Sequence, residues 1–193
     1  MQRLWQMLAH LNGQTVNYSH LGNALNISNQ TVKNYIDLLE STYMLHVVQP
    51  YLSNLGKRLV KSPKVYIADA GIAATLLGII SFHELSGHPS FGAIWEQIVL
   101  SNLKGFFPKA EIFYYRTTGG AEIDFVIKLN NRIIAVECKA SFTPALSKGN
   151  YVAIEDIAPE HTFIVTPSPD CWSMKEGIDV VSIEKLPSYL KVF

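Results

Sequence analysis

The chain of 193 residues reads as an α/β (α+β) protein, with a helical front third followed by a mixed sheet flanked by helices. Three observations predict this. Apolar residues recur at helical spacing through the first 45 positions, which marks amphipathic helices. From position 121 on, the β-prone runs "AEIDFVIKL", "RIIAVEC" and "HTFIVTP" are interrupted by the helical stretch "NYVAIEDI", an order that builds a sheet covered by helices. With 48% hydrophobic and 17% charged residues, the composition is that of an ordinary globular chain with material for a core. The expected organisation is residues 1–68, a connecting helix and loop over 69–90, and a sheet domain over 91–193.

The front elements follow in order. Leu4, Met7, Leu8 and Leu11 form one helical stripe, which "NGQ" ends. "SHLGNALNIS" is a short helix capped by Ser19, with Leu21, Ala24 and Leu25 inward. Ser28 is placed to cap a longer helix, "NQTVKNYIDLLESTYM", whose inward stripe is Val32, Ile36, Leu39 and Tyr43. "LHVVQPYL" and "KVYIAD" are strands on either side of a basic loop, "SNLGKRLVKSP". Two helices across a short turn followed by a hairpin are a winged helix-turn-helix. In that reading Asn29, Gln30, Lys33 and Asn34 face a major groove and Lys57, Arg58 and Lys61 meet phosphates. Asp37 and Glu40 on the same helix repel phosphates, which leaves open a protein-interaction or spacer role.

Zero net charge hides unlike halves. Residues 1–64 hold six basic and two acidic side chains, and residues 65–193 hold ten basic and fourteen acidic ones. The front end therefore suits an anion better than the back end does. Two cysteines, Cys138 and Cys171, give neither a disulfide framework nor a metal-ligand spacing. No apolar run reaches the roughly 18 residues of a membrane span, and no secretory leader opens the sequence, so the expectation is a cytoplasmic protein without a membrane partner. His83, Glu84 and His88 depart from HExxH by one residue. That departure turns the two histidines onto different helix faces.

The segment "AEIDFVIKLNNRIIAVECKAS" (121–141) carries the chemistry. Asn130–Asn131 suits a two-residue hairpin turn, because Asn tolerates the left-handed conformation. That turn sets Leu129 against Arg132, Asp124 against Glu137 and Glu122 against Lys139. By strand alternation one face then collects Glu122, Asp124, Glu137 and Lys139, while Ile123, Phe125, Ile127, Ile134, Val136 and Cys138 face a core. Two carboxylates at roughly 5 Å repel by on the order of 3 kcal/mol at an effective dielectric of about 20. A proton, the Lys139 ammonium or a bound cation must offset this. Paired carboxylates suit Mg²⁺ or Mn²⁺, and a lysine beside them can stabilise charge on a phosphate. A solvated strand face, with Glu122–Lys139 as a weak cross-strand pair, would account for the same residues.

Asp124 followed by "ECK" (Glu137, Cys138, Lys139) is similar to the D…(D/E)xK signature of the PD-(D/E)XK nuclease superfamily. Taken together, "LGKRLVKSPKVYIADAGIAATLLG", "FGAIWEQIVLSNL", "FYYRTTGGAEIDFVI" and "AVECKAS" resemble the uncharacterised C-terminal region of bacterial and archaeal predicted AAA+ ATPases. The resemblance runs through nearly the whole chain. It implies a restriction-endonuclease-like mixed sheet, with Asp124, Glu137 and the backbone carbonyl of Cys138 as metal ligands and Lys139 as the catalytic lysine. It also implies that Glu96, on the preceding helix, supplies a further carboxylate, with Arg116 and Glu122 in support. The sequence departs from the resemblance in two ways. It holds no GxxxxGK[ST] phosphate loop, so an ATPase domain would act in cis from a longer chain or in trans. The QxxxY helix of some nuclease branches is replaced by "LSKGNYVAIED". The expected function is metal-dependent hydrolysis of DNA phosphodiesters. The alternative is an inactive nuclease-fold module that binds DNA or protein and targets an ATPase, and a regulator using the front end alone is a third.

Overall fold

The computed structural model describes residues 2–52 and 59–193. Lys57 and Arg58, expected on phosphates, lie outside the described residues. The chain is mixed α/β and divides into two compact units, residues 1–48 with 62–98 and residues 49–61 with 99–193.

The first unit opens with α1 (Gln2–His10), a two-residue strand β1 (Gln14–Thr15), α2 (Tyr18–Leu25) and α3 (Asn29–Ser41). Both α2 and α3 begin on side-chain caps: Asn17 accepts from the His20 N–H and Ser28 from the Thr31 N–H. The cap of α2 is therefore Asn17 rather than the expected Ser19, which instead accepts from the Asn29 side chain at 3.0 Å. Strands β2 (Leu45–Pro50) and β3 (Lys64–Ile67) pair antiparallel, and β1 pairs with β3 on its other edge. Leu4, Leu8, Leu21, Val32, Ile36, Leu39, Leu45 and Val65 form one buried cluster. The expected stripe of α3 holds as far as Leu39 but fails at Tyr43, which is 85% exposed. Helix α3 ends before it. The Tyr43 N–H donates to the Glu40 carbonyl and the Met44 N–H to the Leu39 carbonyl, a Schellman closure that holds Tyr43 at φ +58°. The segment expected to connect the domains holds two short helices, α4 (Ala70–Leu76) and α5 (Phe82–Ser86).

Helix α6 (Phe91–Phe106) leads into the second unit. Its strands are β4 (Glu111–Arg116), β5 (Glu122–Leu129), β6 (Arg132–Cys138), β7 (His161–Thr166), β8 (Trp172–Lys175) and β9 (Ile178–Ser182), ordered β4-β5-β6-β7-β9-β8. Residues Gln49–Pro50 at the end of β2 pair in parallel with Phe113–Tyr114. The sheet is mixed: β4, β5 and β6 form an antiparallel meander, while β6, β7 and β9 run parallel. Helices α7 (Lys148–Ile157) and α8 (Leu186–Leu190) complete the unit. Ala153 and Ile157 of α7 join the cluster of Val126 and Ala135, while the ring of Phe163, on the opposite face, meets Tyr189 of α8 edge-on at 5.9 Å. No helix among the described residues is long and apolar enough to cross a membrane.

Candidate functional site

The hairpin β5–β6 sets the site. Asn130 and Asn131 both take positive φ, 48° and 69°, which is the geometry of a two-residue turn matched to strand twist. Pairing runs from Leu129↔Arg132 to Phe125↔Val136 without a bulge. Backbone pairing ends there; Asp124 and Glu137 lie just beyond it, close enough for the charge of one to act on the other.

Neither carboxylate reaches water freely. Asp124 is 7% exposed and Glu137 4%. A solvated strand face is thereby overturned for these two residues. The register of β5 against β4 shifts between Phe113 and Tyr115, and Ile123, expected on the other face, joins Val126 and Ala135 in the cluster with α7. Asp124 Oδ2 accepts the Cys138 N–H at 2.8 Å, which fixes one carboxylate to the backbone of the other strand. Glu137 Oε1 accepts from Lys139 Nζ at 2.7 Å. Its second oxygen, Oε2, is buried with no hydrogen-bond partner. An unfilled buried carboxylate oxygen is costly unless something supplies a positive charge or a proton.

The electrostatics agree. Burial, and then the neighbouring Asp124 carboxylate, push Glu137 up to about 8 from an ordinary 4.5, against the pull of Lys139 and of the Asp124 backbone N–H. Burial lowers Lys139, but the attraction and hydrogen bond of Glu137 more than reverse this, so it sits above the ordinary lysine value. Asp124 thus raises the cost of a charge on Glu137. Glu137 relieves it with a proton, and a cation would relieve it in the same way. The donor set therefore fits a divalent cation of the Mg²⁺ or Mn²⁺ kind, with Asp124 and Glu137 as its carboxylates. Among the described residues, no three His, Cys, Asp or Glu side chains gather into a metal-holding group. Any further ligands would thus be backbone oxygens or water.

The rim differs from expectation. Glu122 does not pair with Lys139. Its Oε2 lies 3.5 Å from Arg116 Nε, in a half-exposed pair, and Arg116 is its register partner on β4. Sequence reasoning passed over two residues that fix this rim. Asn150 is 5% exposed and donates from Nδ2 to the Glu122 carbonyl at 2.9 Å while closing a capping box with Ser147. At Gly149, an added Cβ would lie 2.5 Å from the Gly120 carbonyl oxygen, so only glycine lets α7 approach the turn before β5. Ser147 followed three residues later by a side chain able to cap was the available signal. The Thr117–Ala121 turn, Lys148, Gly149 and Val152 line an open hollow of about 570 Å³.

Asp124, Glu137 and Lys139 lie in the second unit. Glu96 belongs to the first, where its Oε2 accepts from the Tyr66 hydroxyl at 3.0 Å and lies 3.7 Å from Lys64 Nζ. Of the expected nucleic-acid residues that are described, Asn29, Gln30, Lys33 and Asn34 lie in the first unit and Lys61 in the second. Asn29, Gln30, Lys33 and Asn34 are exposed on α3, and Gln30 donates to Asn34 at 2.9 Å. With Thr15, Asn17, Tyr18 and Ser62, three of them (Asn29, Gln30 and Lys33) line an open polar hollow of about 600 Å³. Lys61 is exposed.

Comparison with known proteins places the chain among relatives without an assigned role. It is 32% identical over 186 residues to Uncharacterized protein Rv2008c of Mycobacterium tuberculosis and equally to Uncharacterized protein Mb2031c of Mycobacterium bovis, matching 96% of this chain and 42% of each relative. Uncharacterized protein MJ1637 of Methanocaldococcus jannaschii is 26% identical over 137 residues, 68% of this chain and 28% of that protein. The chain thus spans less than half the length of the curated relatives it matches. The solved structure of protein VC1899 from Vibrio cholerae aligns over 99% of this chain and 55% of that one, at 14% identity and a TM-score of 0.34. Residues 1–82 match a domain of unknown function, DUF8612, and residues 91–186 a second one, DUF4143.

Proposed function

We propose that the second unit is a metal-dependent phosphodiesterase of the PD-(D/E)XK nuclease kind, acting on DNA. One observation carries the reading: Asp124 and Glu137 are both buried, Lys139 bonds one oxygen of Glu137, and the other oxygen is unfilled. Asp124 and Glu137 would hold Mg²⁺ or Mn²⁺, with the Cys138 carbonyl as the resemblance implies. Such an ion supplies positive charge against a phosphoryl oxygen and makes water more acidic. The chain's own groups do the rest. Asp124 is held in place by the Cys138 N–H. Lys139, already beside Glu137 and partly open to solvent, is positioned to donate to charge that develops on a phosphate.

The first unit's three helices and antiparallel strands support the winged-helix reading. Asn29, Gln30, Lys33 and Asn34 would meet DNA, with Lys57, Arg58 and Lys61 on its backbone. The resemblance implies an AAA+ ATPase partner, in cis or in trans, and a cytoplasmic setting; the relatives are long enough to hold a further domain. A second reading is a nuclease-fold module that binds without cleaving. It is favoured by the Lys139–Glu137 bond, which already occupies one oxygen that a cation would need.

Titration of the whole chain with Mn²⁺ by calorimetry separates them. Wild type should take up about one ion, and Asp124→Asn should take up none. Nicking of supercoiled plasmid in Mn²⁺ should then be lost in Lys139→Met. Equal heats in wild type and Asp124→Asn, or no heat at millimolar metal, would end the hydrolase reading. Binding without nicking would favour the non-cleaving module.

A further inference from the structure

We propose that Thr166 is a positioning residue of the carboxylate site, whose hydroxyl takes up the Lys139 ammonium when a divalent cation occupies Asp124 and Glu137. The inference rests on the cation-site reading above.

Among the described residues, three buried side-chain atoms have no hydrogen-bond partner: Gln97 Nε2, Glu137 Oε2 and Thr166 Oγ1. Gln97 is in the first unit, and its other amide atom accepts from Asn12 at 2.9 Å. The remaining two share a sheet face. Glu137 on β6 is the register partner of Ile164 on β7, and Thr166 follows Ile164 by two residues, so side-chain alternation puts Glu137, Ile164 and Thr166 on one side. Lys139 is on that side too, since its ammonium reaches Glu137. Its N–H donates to the Val165 carbonyl at 3.0 Å, so the backbone of Lys139 runs beside that of Thr166 on adjacent strands.

Thr166 is fully buried, at 0% exposure. A valine would fill the same space without an unfilled hydroxyl, so a threonine here costs stability in the state described. Its neighbour across β9, Ser182, has its hydroxyl engaged by the Lys185 N–H at 3.3 Å. Thr166 Oγ1 is therefore the acceptor on this row that remains unused. An ammonium is a donor only, on a flexible four-carbon stem. A cation entering between the carboxylates displaces the ammonium from Glu137 Oε1 by like-charge repulsion. The displaced ammonium then needs an acceptor on the same face, and Thr166 provides one.

The test compares wild type, Thr166→Val and Thr166→Ser in the whole chain. Without metal, Thr166→Val should melt no lower than wild type. Its Mn²⁺ affinity by calorimetry should fall about tenfold, the usual scale for groups that orient metal ligands, and Thr166→Ser should restore it. Independently, the Lys139 Nζ resonance in lysine-labelled protein should move on saturation with Mg²⁺ in wild type and Thr166→Ser but not in Thr166→Val. A Thr166→Val protein that melts lower without metal would make the hydroxyl a structural group and overturn the proposal. Unchanged Mn²⁺ affinity, or the same Lys139 movement in all three proteins, would overturn it while leaving the cation site standing. No Mn²⁺ binding in wild type would overturn both.

Discussion

Each unit sets a lysine against a glutamate, and the two pairs are balanced in opposite senses. In the first, Lys64 is 2% exposed and faces Glu96 at 3.7 Å, while the Tyr66 hydroxyl donates to the same carboxylate oxygen at 3.0 Å. One cation meets one anion, and a neutral donor adds to it. In the second, Lys139 and Glu137 are closer, at 2.7 Å, yet Asp124 adds a second negative charge and Glu137 Oε2 has no donor. The shorter ion pair is thus the less satisfied one. Distance alone does not separate a structural pair from a reactive one; the charge count and the unfilled atom do.

The largest consequence is in pH. Glu137 is held near 8 in the folded protein against about 4.5 when unfolded. Between those values the folded state binds more protons than the unfolded one. Stability is therefore greatest below about 4.5, falls as pH rises towards 8 and levels above it, by roughly a few kcal/mol in all. Urea midpoints at pH 5, 6.5 and 8.5 should fall in wild type, and Glu137→Gln should remove that fall relative to wild type. A variant that keeps the whole slope would break the comparison at its root, because the second pair would then be as balanced as the first.

The same substitution should change sign between the units. Glu96→Gln removes the carboxylate facing a buried ammonium and should cost the protein about 2–3 kcal/mol at any neutral pH. Glu137→Gln removes a charge that Asp124 opposes and should be neutral or stabilising at pH 8.5. Chemical denaturation of the two variants side by side gives the answer. Losses of similar size in both would make Glu137 an ordinary structural partner.

How far the sequence reveals these two sites follows from the range of the forces that build them. The Asn130–Asn131 turn is local, and it dictates the register from Leu129↔Arg132 to Phe125↔Val136, which brings Asp124 and Glu137 near each other. Three helices of the front end and the strand pair β2–β3 were readable for the same reason: stripes and caps lie within a few residues of each other. Burial of the two carboxylates was not readable, because no local pattern signals it, and neither was the approach of α7, which hangs on Gly149 beside the Gly120 carbonyl. The partners of Glu96 come from β3, some 30 positions earlier, and periodicity carries no signal for them. Tyr43 fits the helical stripe by count, yet a Schellman closure ends α3 first. The strands β1 and β8 are short and polar, so they lack an alternation to detect.

A smaller effect sharpens the first pair. Tyr66 is fully buried, and Tyr66→Phe deletes one hydrogen bond to a charged oxygen while keeping the ring. A loss of about 1–2 kcal/mol is expected in thermal or urea unfolding, with Mn²⁺ binding unchanged. Weakened Mn²⁺ binding in Tyr66→Phe would tie Glu96 to the ion, as the nuclease resemblance implies, and would make the first pair part of the site rather than its foil.

The smallest effect marks where the second cluster stops. Glu122 shares its strand face with Asp124, two residues away, but it sits in a half-exposed pair with Arg116 at 3.5 Å. Pairs of that kind contribute about 0–1 kcal/mol, because water screens them and two long side chains must be held still. Glu122→Gln should therefore leave the urea midpoint nearly unchanged and shift Mn²⁺ affinity by less than about twofold, the size of a screened charge one residue pair away. Asp124→Asn, on the same face and in the same strand, should abolish binding. If the two variants lose Mn²⁺ affinity equally, burial is not what makes these carboxylates a site, and the charged rim acts as a whole. If only Asp124 matters, then burial turns ordinary strand charges into a cation site.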